Sequence, residues 1–141
     1  MTGVAISHVA CCLDEAPASE QALAHARALA TALGARLTLV HAAPLPLLVD
    51  EVDGVRTVRP EDLNATARAW LERRAAEIPG AEAVVLEGLA GPAICAWAAE
   101  ARPDLLVAGG GLGGLKGFLL GSVSRHLTEH APCPVLVVRG G

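Results

Sequence analysis

Two places in this 141-residue chain carry residue types that hold charged ligands. One is Asp14, at the end of the apolar run ISHVACCL. The other is GGGLGGLKGFLLGS, Gly109 to Ser122, where seven of the thirteen positions from Gly109 to Gly121 are glycine. Glycine lets a backbone approach phosphate oxygens with no Cβ in the way, at an entropic cost. Gly121-Ser122 opens a helical pattern, and a helix N-terminus offers an anion unpaired N–H groups and the positive end of a dipole. Ser122 and Ser124 add hydroxyl donors. The residues alone leave two readings: a phosphate cradle with N–H donors from Gly109 to Gly111 and from Gly121, or a connector with Ser122 as a plain N-cap. Asp14 is likewise either a ligand-reading carboxylate or a turn and helix-capping residue.

Other chemistry finds less support. GxxxxGK[ST] needs a lysine before the serine, and Gly121 stands there. GxGxxG can be read at Gly109, Gly111 and Gly114, but it follows the fourth strand of the chain and not the first. His126 and His130 stand four apart on a helical pattern without a third metal ligand or HExxH, so the expectation is no metal site. His8 has no recognised ligand spacing to Cys11 or Cys12. His41 reads as a hydrogen-bonded core histidine. Ser122 lacks a GxSxG elbow, and no carboxylates are paired for acid–base work, so no catalytic residue is assigned. Lys116, the one lysine, either approaches a γ-phosphate or stands in solvent. Cys11, Cys12, Cys95 and Cys133 form no CxxC pair and read as inert core thiols.

The elements that must position these residues follow from periodicity. Ile6–Leu13 is a near-continuous apolar strand, the pattern of a strand buried on both faces. Pro17 opens and Gly34 closes a helix with Ala22, Leu23, Ala26, Leu29, Ala30 and Leu33 on one stripe. Arg36–Ala42 is the second strand. A long connection leads to Pro60 and a helix whose stripe is Leu63, Ala67, Trp70, Leu71 and Ile78, ended by Pro79-Gly80. AEAVVLEG is the third strand, GPAICAWAAEA a short helix starting near Pro92, and DLLVAG the fourth strand. The last helix spans Ser122 to His130, with Val123 and Leu127 inward, and Pro134–Val138 is the fifth strand. Strict alternation of strands and helices predicts a single doubly wound α/β domain over residues 1–141, a parallel sheet between two helical layers. Ligands of such sheets bind beyond the carboxyl ends of the strands where strand order reverses. Asp14 and the glycine loop share one crevice if the first and fourth strands are neighbours there.

Composition agrees with this frame. The chain is 52% hydrophobic and 2% aromatic, so Ala, Val, Leu and Ile must build the core. The net charge is −4 and the arginines are scattered, which gives no footprint for nucleic acid. No apolar run reaches the roughly 18 residues of a membrane helix. MTGVAISHVA lacks the charged start and apolar stretch of a leader, so the expectation is a cytoplasmic protein with no membrane partner.

LDEAPASEQAL after the first strand, LTLVHA on the second, DLLVAGGGLGGLKGFLLGSVSRHL and the terminal HAPCPVLVV together resemble the universal stress protein family. The resemblance covers nearly the whole chain, apart from the connection between Pro44 and Pro60. Its ATP-binding branch carries G-x2-G-x9-G-[ST]. Gly111, Gly121 and Ser122 match the last three elements, while Ala108 stands where the first glycine falls and Gly109 is one position too close. The resemblance implies strand order 3-2-1-4-5 and a homodimer through the last strand. It implies ATP, with or without Mg2+, as the ligand of a stress-response sensor or switch that is not an efficient enzyme. Slow ATP hydrolysis is its catalytic limit. It assigns Asp14 to the adenine or ribose side, Ala42 and Ala108 to the adenine pocket, and Gly109, Gly111, Gly121, Ser122, Val123 and Ser124 to the phosphates. The alternative is a dimeric interaction module of the same fold that binds no nucleotide.

Overall fold

The computed structural model describes residues 3–43, 60–110 and 121–139. The first strand, β1 (His8–Cys12), lies at the centre of the sheet, and all five of its residues are buried. Its apolar run leaves no polar side chain to face water, so helices must cover both faces. α1 (Pro17–Leu33), β2 (Arg36–Ala43), α2 (Pro60–Ala76) and β3 (Glu82–Glu87) follow, then α3 (Ala90–Ala101), β4 (Leu105–Gly109), α4 (Ser122–His130) and β5 (Val135–Val138). The order and type of elements are those the periodicity predicts. The connection between Pro44 and Pro60 lies outside the described residues up to Pro60 itself, as do Gly111 and Lys116.

The sheet is parallel throughout, in the order β3-β2-β1-β4-β5. Strand order reverses between β1 and β4, which pair directly with Val9 opposite Leu105 and Cys11 opposite Val107. Asp104 holds the lower ends of these two strands together. Its Oδ2 accepts the backbone N–H groups of Ser7 and His8 at 2.9 and 3.0 Å, and its own N–H donates to the His8 carbonyl at 2.8 Å. The Ser7 N–H and hydroxyl hold the Asp104 carboxyl below the usual carboxylate range.

Two apolar clusters flank the sheet. Ala22, Leu23 and Ala26 of α1 and Leu71 and Ala75 of α2 pack on Val9, Cys11, Leu39 and Val107. Ile94 and Ala98 of α3 and Leu127 of α4 pack on Ala10, Cys12, Val40 and Leu106. The adjacent cysteines therefore face opposite layers, as the two-residue period of a strand requires. Leu39, Leu71, Leu106 and Leu127 are wholly buried. Each contributes roughly 1.5–3 kcal/mol by leaving water.

Helix ends obey their local chemistry. Pro17 occupies the first turn of α1, and Gly34 closes it at φ +63°, in the left-handed region. The N–H of Ala35 returns to the Ala30 carbonyl at 2.9 Å and that of Gly34 to Thr31, the double closure of a Schellman turn. That turn exposes Leu33, which the helical stripe places inward: it is 48% exposed as the last residue before the chain swings away. Val123 is only partly buried, and Ser124 takes the inward place beside Leu127. In α2, Leu71 is buried and Ala67 and Trp70 partly so, while Leu63 falls outside the described side chains; the helix ends at Ala76, so Ile78, expected on its stripe, is buried just beyond it.

Candidate functional site

The reversal between β1 and β4 opens a cavity of about 450 Å³ beyond the carboxyl ends of the strands. Its floor is apolar, from Cys12, Leu13, Ala42, Ala108 and Ile94. Its rim is polar, with Asp14 and Ser19 on the α1 side, His41 at the end of β2, and Ser122 and Ser124 at the start of α4. Eight of the nine residues singled out from the sequence line it: Asp14, Ala42, Ala108, Gly109, Gly121, Ser122, Val123 and Ser124. The ninth, Gly111, lies outside the described residues.

The donors differ from those read off the glycines. The Gly110 N–H is spent on the Val138 carbonyl at 2.8 Å, and the Gly121 N–H on the Gly110 carbonyl at 3.1 Å. Both hydrogen bonds belong to the frame of the loop, so neither group is left for an anion. The N-cap of α4 is Gly121, not Ser122, and no side chain caps the helix. The first bond within the helix runs from the Arg125 N–H to the Gly121 carbonyl at 2.9 Å. Among the described residues, the N–H groups of Ser122, Val123 and Ser124 therefore have no partner. They, and the α4 dipole, are the anion-seeking groups here. The buried Ser124 hydroxyl donates to the Gly121 carbonyl at 3.1 Å, which fixes the turn.

Gly109 has another task. A Cβ there would stand 2.8 Å from the Ala18 carbonyl oxygen and 3.0 Å from the Ala18 Cβ. The absence of a side chain lets the first turn of α1 lie against the end of β4. That contact brings the Asp14 turn and the glycine loop to one cavity.

Asp14 both closes a turn and faces the cavity. Its Oδ1 accepts the Ala16 N–H at 2.8 Å and the Ser19 hydroxyl at 2.6 Å, and its own N–H donates to Ser19 Oγ at 2.9 Å. Among the described residues nothing hydrogen-bonds its Oδ2. His41 Nδ1 lies 2.8 Å from the Leu13 carbonyl. A carbonyl only accepts, so Nδ1 carries the proton. The imidazole also meets the Trp70 ring edge-on, centroids 5.0 Å apart. Ser19 and His41 are cavity residues that the sequence reading does not assign. The signal for Ser19 was its place five residues after Asp14, within the first turn of the helix.

Among the described lining residues, Asp14 is the one carboxylate, and there is no lysine or arginine. Among these described residues, charge on an anionic ligand would be met by backbone dipoles and by no cationic side chain. Burial pushes the Cys11 thiol up to about 12 and raises Cys12 further, so neither is a nucleophile. Cys95 and Cys133 are raised by burial as well. His126 and His130 lie with ring centroids 4.5 Å apart and planes tilted by 45°. Among the described residues no three His, Cys, Asp or Glu side chains are placed to share a metal ion. No helix among them is long and apolar enough to cross a membrane.

The fold and the cavity define a doubly wound α/β protein with a polar-rimmed pocket at the switch point of its sheet. The chain belongs to the universal stress protein family, whose family model matches residues 5–139. It is 37% identical over 133 residues to a Thermus aquaticus protein described as the universal stress protein in the QAH/OAS sulfhydrylase 3′ region, covering 89% of this chain and 93% of that one. Universal stress protein UspA from Lactobacillus plantarum shares the fold with a TM-score of 0.76 at 22% identity, over 97% of this chain and 100% of that one. A universal stress protein solved in complex with cAMP matches with a TM-score of 0.71 at 28% identity, over 98% and 100% of the two chains.

Proposed function

We propose that this protein binds an adenine nucleotide, ATP, in the β1/β4 cavity and acts as a stress-response sensor or switch. The observation that carries this reading is the pairing of three N–H groups at the start of α4, unpartnered among the described residues, with a largely apolar cavity that Asp14 also lines. In this reading the phosphates sit on Ser122, Val123 and Ser124 at the α4 N-terminus, beside Gly121, Gly109 and Gly111. Ala42 and Ala108 leave room for the flat base. Asp14 reads the ribose, away from the phosphates that its charge would repel. Mg2+, where present, would offset phosphate charge, which no lysine or arginine among the described lining residues does. A volume of about 450 Å³ lies within the usual range for small-molecule sites, roughly 300–1,000 Å³. The solved relative in complex with cAMP supports the ligand class.

On the described rim, Asp14 Oδ1 is engaged and His41 Nδ1 carries its proton to a carbonyl, which leaves Asp14 Oδ2 and His41 Nε2 as the open acceptors. We read the protein as a binding switch, with slow hydrolysis as its catalytic limit. It would work in the cytoplasm as a homodimer joined through β5. A second reading, a dimeric interaction module without nucleotide, draws on the Gly110 and Gly121 N–H groups being consumed within the protein.

Thermal unfolding with ATP, AMP and GTP, each with and without Mg2+, separates the two. A ligand at a hundred times its dissociation constant adds about 2.7 kcal/mol, a rise of roughly 5–10 °C in Tm for a chain of this size. No shift at millimolar ATP favours the interaction module. Gly121 sits at φ −64° and ψ 164°, extended backbone open to any residue. Gly121→Val should keep the far-ultraviolet circular dichroism of the wild type and weaken ATP at least tenfold. Unchanged affinity would show that the phosphates lie elsewhere.

A further inference from the structure

We propose that Ser19 is a positioning residue for the ligand's ribose, acting through Asp14. The inference rests on the nucleotide reading above and deepens it. Ser19 is 4% exposed, in the first turn of α1, and lines the cavity. A serine at a helix start ordinarily caps the helix with its oxygen. Here the N-cap is Ala16, no side chain caps the helix, and the Ser19 hydroxyl turns back to Asp14 instead. The two residues exchange hydrogen bonds. The Asp14 N–H donates to Ser19 Oγ at 2.9 Å, and Ser19 Oγ donates to Asp14 Oδ1 at 2.6 Å. The Ala16 N–H occupies Oδ1 a second time, at 2.8 Å.

This ring does two things that a lone exposed aspartate cannot. It fixes the side-chain rotamer, which would otherwise cost freedom on binding. It also saturates one oxygen and leaves the other, Oδ2, as the acceptor for a hydroxyl. The backbone beneath is held as firmly. The Leu13 N–H donates to the Val40 carbonyl at 2.8 Å, and the Leu13 carbonyl accepts the His41 Nδ1–H at 2.8 Å. Ser19 is thus the side-chain half of a mount whose backbone half is His41 and β2. Its hydroxyl is spent on Asp14, so its removal should be felt through Asp14.

The test is isothermal titration of ATP and of 2′,3′-dideoxy-ATP, which lacks both ribose hydroxyls, into wild type, Ser19→Ala, Asp14→Asn and the double variant. Wild type should prefer ATP by roughly tenfold, the worth of a hydrogen bond to a charged group. Ser19→Ala should lose most of that preference while its affinity for dideoxy-ATP stays within twofold. In the Asp14→Asn background, Ser19→Ala should change ATP affinity less than twofold, since coupled residues are not additive. If Ser19→Ala fails to fold, Ser19→Cys, of nearly serine size, carries the same comparison. Equal weakening of both ligands, a full effect without Asp14, or no wild-type preference between the ligands would overturn the role of Ser19 and leave the nucleotide site standing. A wild type that binds neither ligand at millimolar concentration would overturn the nucleotide reading, and this inference with it.

Discussion

His8 is 7% exposed at the start of β1, far from the cavity, and its Nδ1 has no hydrogen-bond partner. Its Nε2 lies 2.7 Å from the buried Thr38 hydroxyl, and its ring meets Trp97 edge-on at 6.3 Å. Burial first, and the nearby Arg36 second, lower its pKa, against the smaller opposite pull of Glu82 and Asp104. The folded protein therefore keeps this ring neutral. Above pH 6.5 the ring is neutral in both states and its burial costs nothing extra. Below pH 6.5 the unfolded chain takes a proton that the folded chain refuses, so stability falls until the lowered folded pKa is reached. The limit for one group is about 1.4 kcal/mol per pH unit. Urea unfolding at pH 7.5 and 5.5 should show a smaller loss for His8→Phe than for wild type. Equal losses would remove His8 as the source. Absolute stability is the wrong readout, because the phenylalanine leaves the Thr38 hydroxyl without its partner.

At the scale of elements, the cavity walls depend on how α3 and α4 meet. Ala90 and Ile94 of α3 and Ser122 to Ser124 of α4 all line the cavity. The helices close on each other at Gly91, where an added Cβ would stand 2.7 Å from His126 Cγ and 2.9 Å from its Cβ. Both atoms lie near the root of the His126 side chain, so it cannot swing clear without moving the helix. Gly91→Ala should cost about 1–3 kcal/mol, the usual range for an overpacked contact, and weaken ATP by displacing the α4 N-terminus. Adding His126→Ala removes the Cγ and ring contacts but keeps the Cβ at 2.9 Å, so it should recover part of the loss. A double variant that melts no higher than Gly91→Ala would place the strain elsewhere.

The same scale shows what the sequence made legible. Helix ends at Gly34 and Gly121 are local events, written by a glycine and its neighbours, and they could be read directly. The alternation of elements and the buried first strand were equally plain. Strand order was not, because pairing joins segments far apart in the chain, and it came from the resemblance. The fate of the Gly110 N–H was hidden for that reason: its acceptor is Val138, on a different strand. Asp14 could be placed at the end of the first strand because the end of a strand is local, but its place at the switch point depended on strand order. Ser19 and His41 could not be tied to it, since their hydrogen bonds depend on rotamers and on the close approach that Gly109 permits.

At the scale of the whole molecule, the two sheet edges differ. β3 begins and ends with Glu82 and Glu87, charges that discourage a second strand from docking. β5 is the other edge and carries only Val135, Leu136, Val137 and Val138. The Pro134 and Val138 carbonyls accept from Leu106 of β4 and from Gly110 just after it. Backbone groups alternate sides along a strand, so those of Val135 and Val137 face the free edge. An apolar edge of this kind favours a second copy, pairing β5 with β5 into one continuous sheet. Val137→Pro removes an outward N–H and no bond of the β4 ladder, and an edge strand tolerates proline. The variant should keep its circular dichroism, because β4 and β5 remain paired. Light scattering should report a dimer for wild type and a monomer of half that mass for Val137→Pro. A wild-type monomer, or a variant that stays dimeric, would show that β5 is not the contact. Should ATP affinity also fall in the monomer, the Val138–Gly110 hydrogen bond is the physical link, since it ties this edge to the residue after the cavity-lining Gly109.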